Sequence, residues 1–260
     1  MIDLKQFDPN DRPRIEAMIV GGELLGSVRD NLRSLSTVGT TFEALEAHAQ
    51  RLIKAGGAQP SFSTVHGYHW ATCIMKNDAL CHGIPQNGSV EAGDVMTIDV
   101  GLIYQGFHTD TTISFVVEPV SEKIKHFLQI GRESLADAIG AVHPDASVFD
   151  VSSAMETRVK RAGYGLVVEL TGHGVGQNLH MEPNIPCIAY NRDKRIKLSV
   201  GQTIAVEVMY TMGSPSLMVD KDGWTFRTKD HGLTGMFEDT VLVTTTGFEV
   251  LTKPSVTGIL

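Results

Sequence analysis

Apolar side chains recur at helical spacing in the first part of the chain. They predict an amphipathic helix over residues 13–35, with Asp11 as its N-terminal cap. A second helix is expected to begin at Thr40 or Thr41 and to end at Gly56. Each helix should bury one face against a common core.

Strand patterns follow, and then the same order of elements returns. Residues 95–100 and 111–117 predict two strands around a turn near residues 104–106. Further helices are expected over residues 121–142 and 147–162, and further strands over residues 166–170, 203–210 and 236–245. Helices grouped apart from antiparallel strands indicate an α+β fold. The repeated order predicts one domain, residues 1–260, with duplicated halves of about 11–118 and 120–250.

Composition narrows the class of protein. The 260 residues are 42% apolar and 20% charged, as in globular proteins, and the net charge of −8 argues against a nucleic-acid surface. The acidic N-terminus lacks a signal-peptide pattern, and no stretch is apolar enough to span a membrane. Three cysteines are too few for a disulfide framework. We therefore expect a cytoplasmic protein with buried free thiols.

Two aspartates flank the first predicted turn. If Tyr104 and Gln105 form a two-residue hairpin loop, Asp99 lies directly opposite Asp110 and both carboxylates project from one face. Like charges at such a position repel, and divalent cations would compensate them. The alternative is that one aspartate caps a turn while the other meets solvent.

Two histidines and two glutamates add to this pattern. His173 and His180 lie in a glycine-rich segment that predicts a ligand loop, and Glu207 and Glu238 interrupt apolar strands. A buried glutamate needs a partner, and a salt bridge is the simpler explanation for either one alone. Taken together, several carboxylates and one imidazole favour a site for two ions of Co, Mn, Fe or Zn.

These residues resemble the pita-bread metallopeptidases, and specifically the type I methionine aminopeptidase family. The resemblance extends over nearly the whole chain. Its most specific segments are residues 81–85, 98–101, 106–111, 172–183, 224–225, 228–230 and 237–240. It implies a pita-bread fold, in which pseudo-two-fold halves, each with two helices and two strands, surround a curved antiparallel sheet.

The resemblance also implies roles for individual residues. The metal ligands would be Asp99, Asp110, His173, Glu207 and Glu238. Glu207 would carry a proton, His180 would steady the scissile carbonyl and His82 would contact the departing nitrogen. The methionine pocket would include Tyr68, Cys73 and Trp224, while Phe62, Val65, Leu179, Met181 and Val208 depart from the family pattern.

The function implied is removal of the N-terminal methionine from nascent polypeptides, by attack of a hydroxide activated by two metal ions on the first peptide bond. The expected partners are nascent N-termini and, transiently, the ribosome. We expect a monomer that binds neither nucleic acid nor membranes. Three alternatives remain open. They are a Xaa-Pro aminopeptidase, another hydrolase on this fold, and a non-catalytic binding module.

Overall fold

The structure is a computed structural model that describes residues 2–253. Its helices are α1 (Arg12–Leu35), α2 (Phe42–Ala55), α3 (Glu122–Gly140) and α4 (Val148–Arg161). Its strands are β1 (Gln59–Pro60), β2 (Thr72–Lys76), β3 (Ala79–Cys81), β4 (Val95–Tyr104), β5 (Phe107–Val116), β6 (Gly165–Leu166), β7 (Thr171–Gly174), β8 (Met181–Pro186), β9 (Thr203–Thr211), β10 (Leu217–Val219), β11 (Phe226–Thr228), β12 (Thr234–Thr244) and β13 (Gly247–Val250).

Polar side chains cap three of the four helices, close to the predicted boundaries. The Thr41 side chain accepts a hydrogen bond from the Ala44 N–H at 3.2 Å, and Ser121 and Ser147 cap α3 and α4 in the same way. Asp11 occupies the cap position of α1, but its side chain makes no capping hydrogen bond. Its backbone is helical, with φ of −85° and ψ of −21°, instead of the extended conformation that directs a cap inward.

Ten strands form one sheet, whose main path runs β1-β4-β5-β12-β9-β7-β8. Helix α1 packs beside β4 and β5, and α2 packs beside β1 and β2. Helix α3 packs beside β9 and β12, and α4 packs against α3, β8 and β6. Each helix pair encloses its own apolar cluster. The α+β architecture is confirmed, and the division into duplicated halves near residue 119 stays a prediction.

The hairpin between β4 and β5 differs from the predicted register. Tyr104 pairs with Phe107, so the two loop residues are Gln105 and Gly106. Both have left-handed backbone, with φ of 48° and 87°, as this tight turn requires. Asp99 therefore lies opposite Thr112, two positions from Asp110. The predicted direct pairing of the aspartates is wrong, but their common face is retained because the shift is an even number of residues.

Other strand boundaries also differ. The strand expected over residues 166–170 ends at Leu166, because only β6 pairs with β9 there. The strands expected over 203–210 and 236–245 are present as β9 and β12. Within the described residues no helix is long and apolar enough to cross a membrane. All three cysteines are free and buried, as predicted.

Candidate active site

A row of polar side chains crosses four neighbouring strands of the sheet. Asp99 on β4 pairs with Thr112 on β5, and Thr112 pairs in turn with Glu238 on β12. Glu238 lies directly opposite Glu207 on β9. Residues that pair across strands share a face, so three carboxylates project together. All three acids are at most 6% exposed.

Asp110 and His173 form the next row on the same face. Asp110 precedes Thr112 by two residues, and His173 pairs with Ala205, two residues before Glu207. His173 lies in the short strand β7 instead of the predicted loop, and the pairing of β7 with β8 is irregular between Gly172 and Gly174. Ligand atoms of Asp110, His173 and Glu238 all lie within 4.8 Å of one another.

Hydroxyl and amide groups orient this carboxylate cluster, formed by Asp99, Asp110, Glu207 and Glu238. Thr112 Oγ1 donates to Glu238 Oε2 at 2.8 Å, and the Thr111 N–H donates to Asp110 Oδ1 at 3.0 Å. The Asp99 Oδ1 atom is buried and has no hydrogen-bond partner within residues 2–253. Burying a polar atom without a partner costs free energy unless a further group binds it.

Burial raises the pKa of every acid in the carboxylate cluster, and repulsion raises it further at Asp110, Glu207 and Glu238. Burial raises the pKa of Asp99 to about 7. Burial and then the neighbouring carboxylates hold the pKa values of Asp110, Glu207 and Glu238 well above their usual range. Among the described residues that line this site, none is lysine or arginine. The described lining residues therefore supply no lysine or arginine charge to compensate these acids.

His173 is suited to bind a cation. The His173 Nδ1 atom lies 2.9 Å from the Gly174 carbonyl oxygen, so an N–H at that atom donates to the backbone and leaves Nε2 free. Burial, with a smaller contribution from His180, lowers the pKa of His173 to about 4. The imidazole is therefore neutral at pH 7, which is the form that binds metal.

The two other predicted histidines lie at the same cavity. The ring centroids of His173 and His180 are 4.6 Å apart. His82 has left-handed backbone, with φ of 56°, which is strained for a residue with a side chain and is often found at functional sites. Burial lowers the pKa of both His82 and His180. Both rings are thus neutral N–H donors near pH 7.

The cavity beside the carboxylate cluster has a volume of about 300 Å³ and an apolar end. The Tyr68 ring packs edge-on against Trp224 with centroids 5.1 Å apart, and Cys73 lies beside them as a neutral thiol whose pKa burial raises. This same end is also lined by three residues that differ from the family pattern, Phe62, Val65 and Leu179. Met181 and Val208, the other two departures, are not among the residues that line the cavity.

Several lining residues were not predicted from the sequence. They are Cys81, Glu169, Leu170, Thr171, Asn184, Met209 and Met236. Met209 and Met236 lie two residues from Glu207 and Glu238 on β9 and β12, so the alternation of strand side chains would have found them. Glu169 lies in the segment between β6 and β7, which has no periodic pattern, and Asn184 lies on β8, a strand that the sequence did not predict.

The donor set fits divalent metal ions. Four buried carboxylates and one neutral imidazole provide oxygen and nitrogen ligands, and a cation would offset the repulsion that raises the pKa values of Asp110, Glu207 and Glu238. The unpartnered Asp99 oxygen points to the same conclusion.

Comparison with known families agrees with this geometry. Residues 16–245 match metallopeptidase family M24. The chain belongs to this family. Among M24 members, methionine aminopeptidase 1 of Bacillus subtilis is 33% identical over 232 residues, covering 89% of this chain and 93% of that protein. Methionine aminopeptidase of Escherichia coli is 32% identical over 241 residues, covering 92% of this chain and 90% of that protein.

Solved structures of the M24 family share this fold. A crystal structure of methionine aminopeptidase from Thermotoga maritima matches with a TM-score of 0.90 and 32% identity, covering 97% of this chain and all of that chain. Prolidase from Pyrococcus furiosus matches with a TM-score of 0.76 and 26% identity. The latter match covers 94% of this chain but 64% of the prolidase. The predicted pita-bread fold is confirmed by these neighbours.

Proposed function

We propose that this protein is a methionine aminopeptidase that hydrolyses the first peptide bond of newly made polypeptides. The observation that carries the proposal is that one cavity joins the carboxylate cluster and His173 to an apolar end of suitable chemistry. Aromatic and sulfur surfaces suit a flexible, polarisable thioether. The relatives named methionine aminopeptidase support the same assignment.

We propose that Asp99, Asp110, His173, Glu207 and Glu238 would hold two divalent ions of Co, Mn, Fe or Zn. When bound, the ions supply Lewis acidity that brings the pKa of water toward neutral. Glu207 accepts and passes on the proton released. His180 donates an N–H to the carbonyl oxygen as negative charge develops, and His82 donates toward the departing nitrogen.

The apolar end of the cavity holds the methionine side chain between Tyr68, Cys73 and Trp224. The free amino group of the substrate lies toward the carboxylate cluster, which attracts a positive charge. An acetylated terminus brings no such charge and is not cleaved. We propose that the protein acts as a monomer.

We further propose that the protein works in the cytoplasm and meets its substrates as they emerge from the ribosome. Three buried free thiols are compatible with a reducing compartment. The nascent N-terminus is the partner that the cavity requires. Neither membrane nor nucleic-acid binding is part of the proposal.

The alternative of a Xaa-Pro peptidase is favoured by the fold shared with prolidase. Peptides that begin with Met, Leu or Ala, a Xaa-Pro peptide and an acetylated Met peptide separate the two functions when their kcat/KM values are measured with Co or Mn. Preference for Met-Ala-Ser supports the proposal. A requirement for Pro at the second position, or equal cleavage of the acetylated peptide, overturns it. A non-catalytic module would cleave none of these peptides.

A further inference from the structure

Glu46 on α2 is a buried acid outside the carboxylate cluster. It is 5% exposed and lies on the helix face that also buries Leu45 and Ala49. Its hydrogen-bond partners within residues 2–253 are neutral N–H and O–H groups, and it belongs to no ion pair there. A carboxylate is costly to bury, so donors aimed at both of its oxygens indicate a specific position for the segment that provides them.

That segment is the start of β2. Glu46 Oε1 accepts from the Ala71 N–H at 2.7 Å. Glu46 Oε2 accepts from the Thr72 N–H at 3.0 Å and from Thr72 Oγ1 at 2.6 Å. Two consecutive amides and one hydroxyl are thus fixed by a single side chain. Hydrogen bonds to an ionised acceptor are among the stronger and more directional ones in proteins.

Thr72 also binds a residue that lines the apolar end of the cavity. Tyr68 Oη donates to the Thr72 carbonyl oxygen at 2.8 Å and lies 3.2 Å from Cys73 Sγ. Tyr68 in turn packs against Trp224. Glu46 therefore reaches the wall through one residue, Thr72, without itself lining the cavity.

We propose that Glu46 is a positioning residue that sets the shape of the apolar end, and thereby the preference for methionine over branched first residues. The inference rests on the proposed function. Tyr68 and Cys73 are the lining groups, and Glu46 determines where the backbone between them lies. A small displacement of that wall changes how a branched side chain fits while leaving the carboxylate cluster in place.

The test is Glu46→Gln, assayed on Met-Ala-Ser and Leu-Ala-Ser. The amide retains an oxygen for two of the four donors but directs an NH₂ group at the other two. We expect the Met-to-Leu ratio of kcat/KM to fall by about fivefold or more, mainly through KM for the Met peptide, with metal content unchanged. Thr72→Val removes only the hydroxyl bond and should shift the ratio in the same direction by less. This second variant keeps the inference testable if Glu46→Gln does not fold.

Two controls separate positioning from stability. Gln50→Ala removes a donor on the helix side of Glu46, 2.7 Å from Oε1, and should leave the ratio unchanged. Ile53→Val lowers stability from a buried position on the same helix and should also leave the ratio unchanged. The inference is overturned if the folded Glu46 and Thr72 variants keep the wild-type ratio within about twofold, or if Ile53→Val shifts it equally. A wild-type protein that leaves Met-Ala-Ser intact overturns the proposed function and this inference with it.

Discussion

The two ends of the cavity are built in different ways. The carboxylate cluster lies on β4, β5, β9 and β12, long paired strands at the centre of the sheet. The apolar end comes from a short 3₁₀ turn at Phe62–Thr64, the start of β2, and connecting segments that carry Leu179 and Trp224. The sheet fixes one end through continuous ladders, whereas the other end depends on side-chain packing and a few hydrogen bonds.

This difference follows from the physical chemistry of each end. Four acids that repel one another hold their positions only if the backbone cannot yield, and paired central strands provide that rigidity. An apolar pocket needs only surfaces of the right size, and volume-conserving changes there cost little. Changes to the carboxylate cluster should therefore abolish activity, and changes to the apolar end should adjust selectivity.

The largest effect is expected at Asp110 and Glu238 of the carboxylate cluster. Asp110→Asn and Glu238→Gln keep side-chain size but each removes one anion, so turnover of Met-Ala-Ser should fall to background, a loss of more than about four powers of ten. Circular dichroism should show an intact fold. Glu249→Gln on β13 is a matched surface control and should keep full activity. More than about a tenth of wild-type activity with metal still bound would contradict the proposed ligand set.

The histidines come next. His82→Ala and His180→Ala should lower kcat by roughly two to four powers of ten, because each removes an N–H donor from developing charge. Metal content measured by elemental analysis should stay at the wild-type value. Loss of metal in either variant would instead make that histidine a ligand.

Stability of the metal-free protein should depend on pH. Burial raises the folded-state pKa of Asp99 to about 7, above its value in the unfolded chain, so the folded state binds the extra proton between the two pKa values. The free energy of unfolding should therefore fall as pH rises from about 4 to 7, by up to about 1.4 kcal/mol per pH unit for each such proton.

Urea unfolding of chelator-treated protein measures this slope. Asp99→Asn should flatten it, and added Mn should restore stability near pH 7.5. A metal-free protein that gains stability across this range would show that the acids are compensated by the protein itself.

The smallest effect is expected at the apolar end. This end stays apolar with Phe62, Val65 and Leu179. In an apolar pocket one extra or missing methylene changes the transition-state binding free energy by only about 1 to 3 kcal/mol. Methionine should remain preferred, with measurable cleavage of norleucine and slower cleavage of leucine. Relative kcat/KM values for the three first residues test this. Complete rejection of norleucine would show a pocket more rigid than the structure suggests.

The sequence predicted the carboxylate cluster better than its surroundings. Glu207 and Glu238 stand out because an acid within an apolar strand demands compensation, and this signal is independent of register. The predicted register of β4 against β5 was wrong by two positions. Gln105 has a left-handed backbone, which its residue type does not predict. His173 was expected in a loop because glycines flank it, although its backbone pairs with β9.

Residues that act through tertiary contacts were invisible in the pattern. A charged residue on an amphipathic helix is read as solvent-facing, yet Glu46 is buried because Ala71 and Thr72 come to it from a distant segment. Glu169 also reaches the cavity from a connecting segment with no periodic pattern. Local periodicity reports which face is buried, and it does not report what lies against that face.

The central claim is that metal held by the carboxylate cluster is needed to remove an N-terminal methionine. The most direct measurement is the rate of Met-Ala-Ser hydrolysis as chelator-treated protein is titrated with Co or Mn. The account predicts no turnover without metal, recovery as metal is added, and no recovery in Asp110→Asn. Full turnover by metal-free protein, or an inert wild-type protein with metal bound, would contradict it.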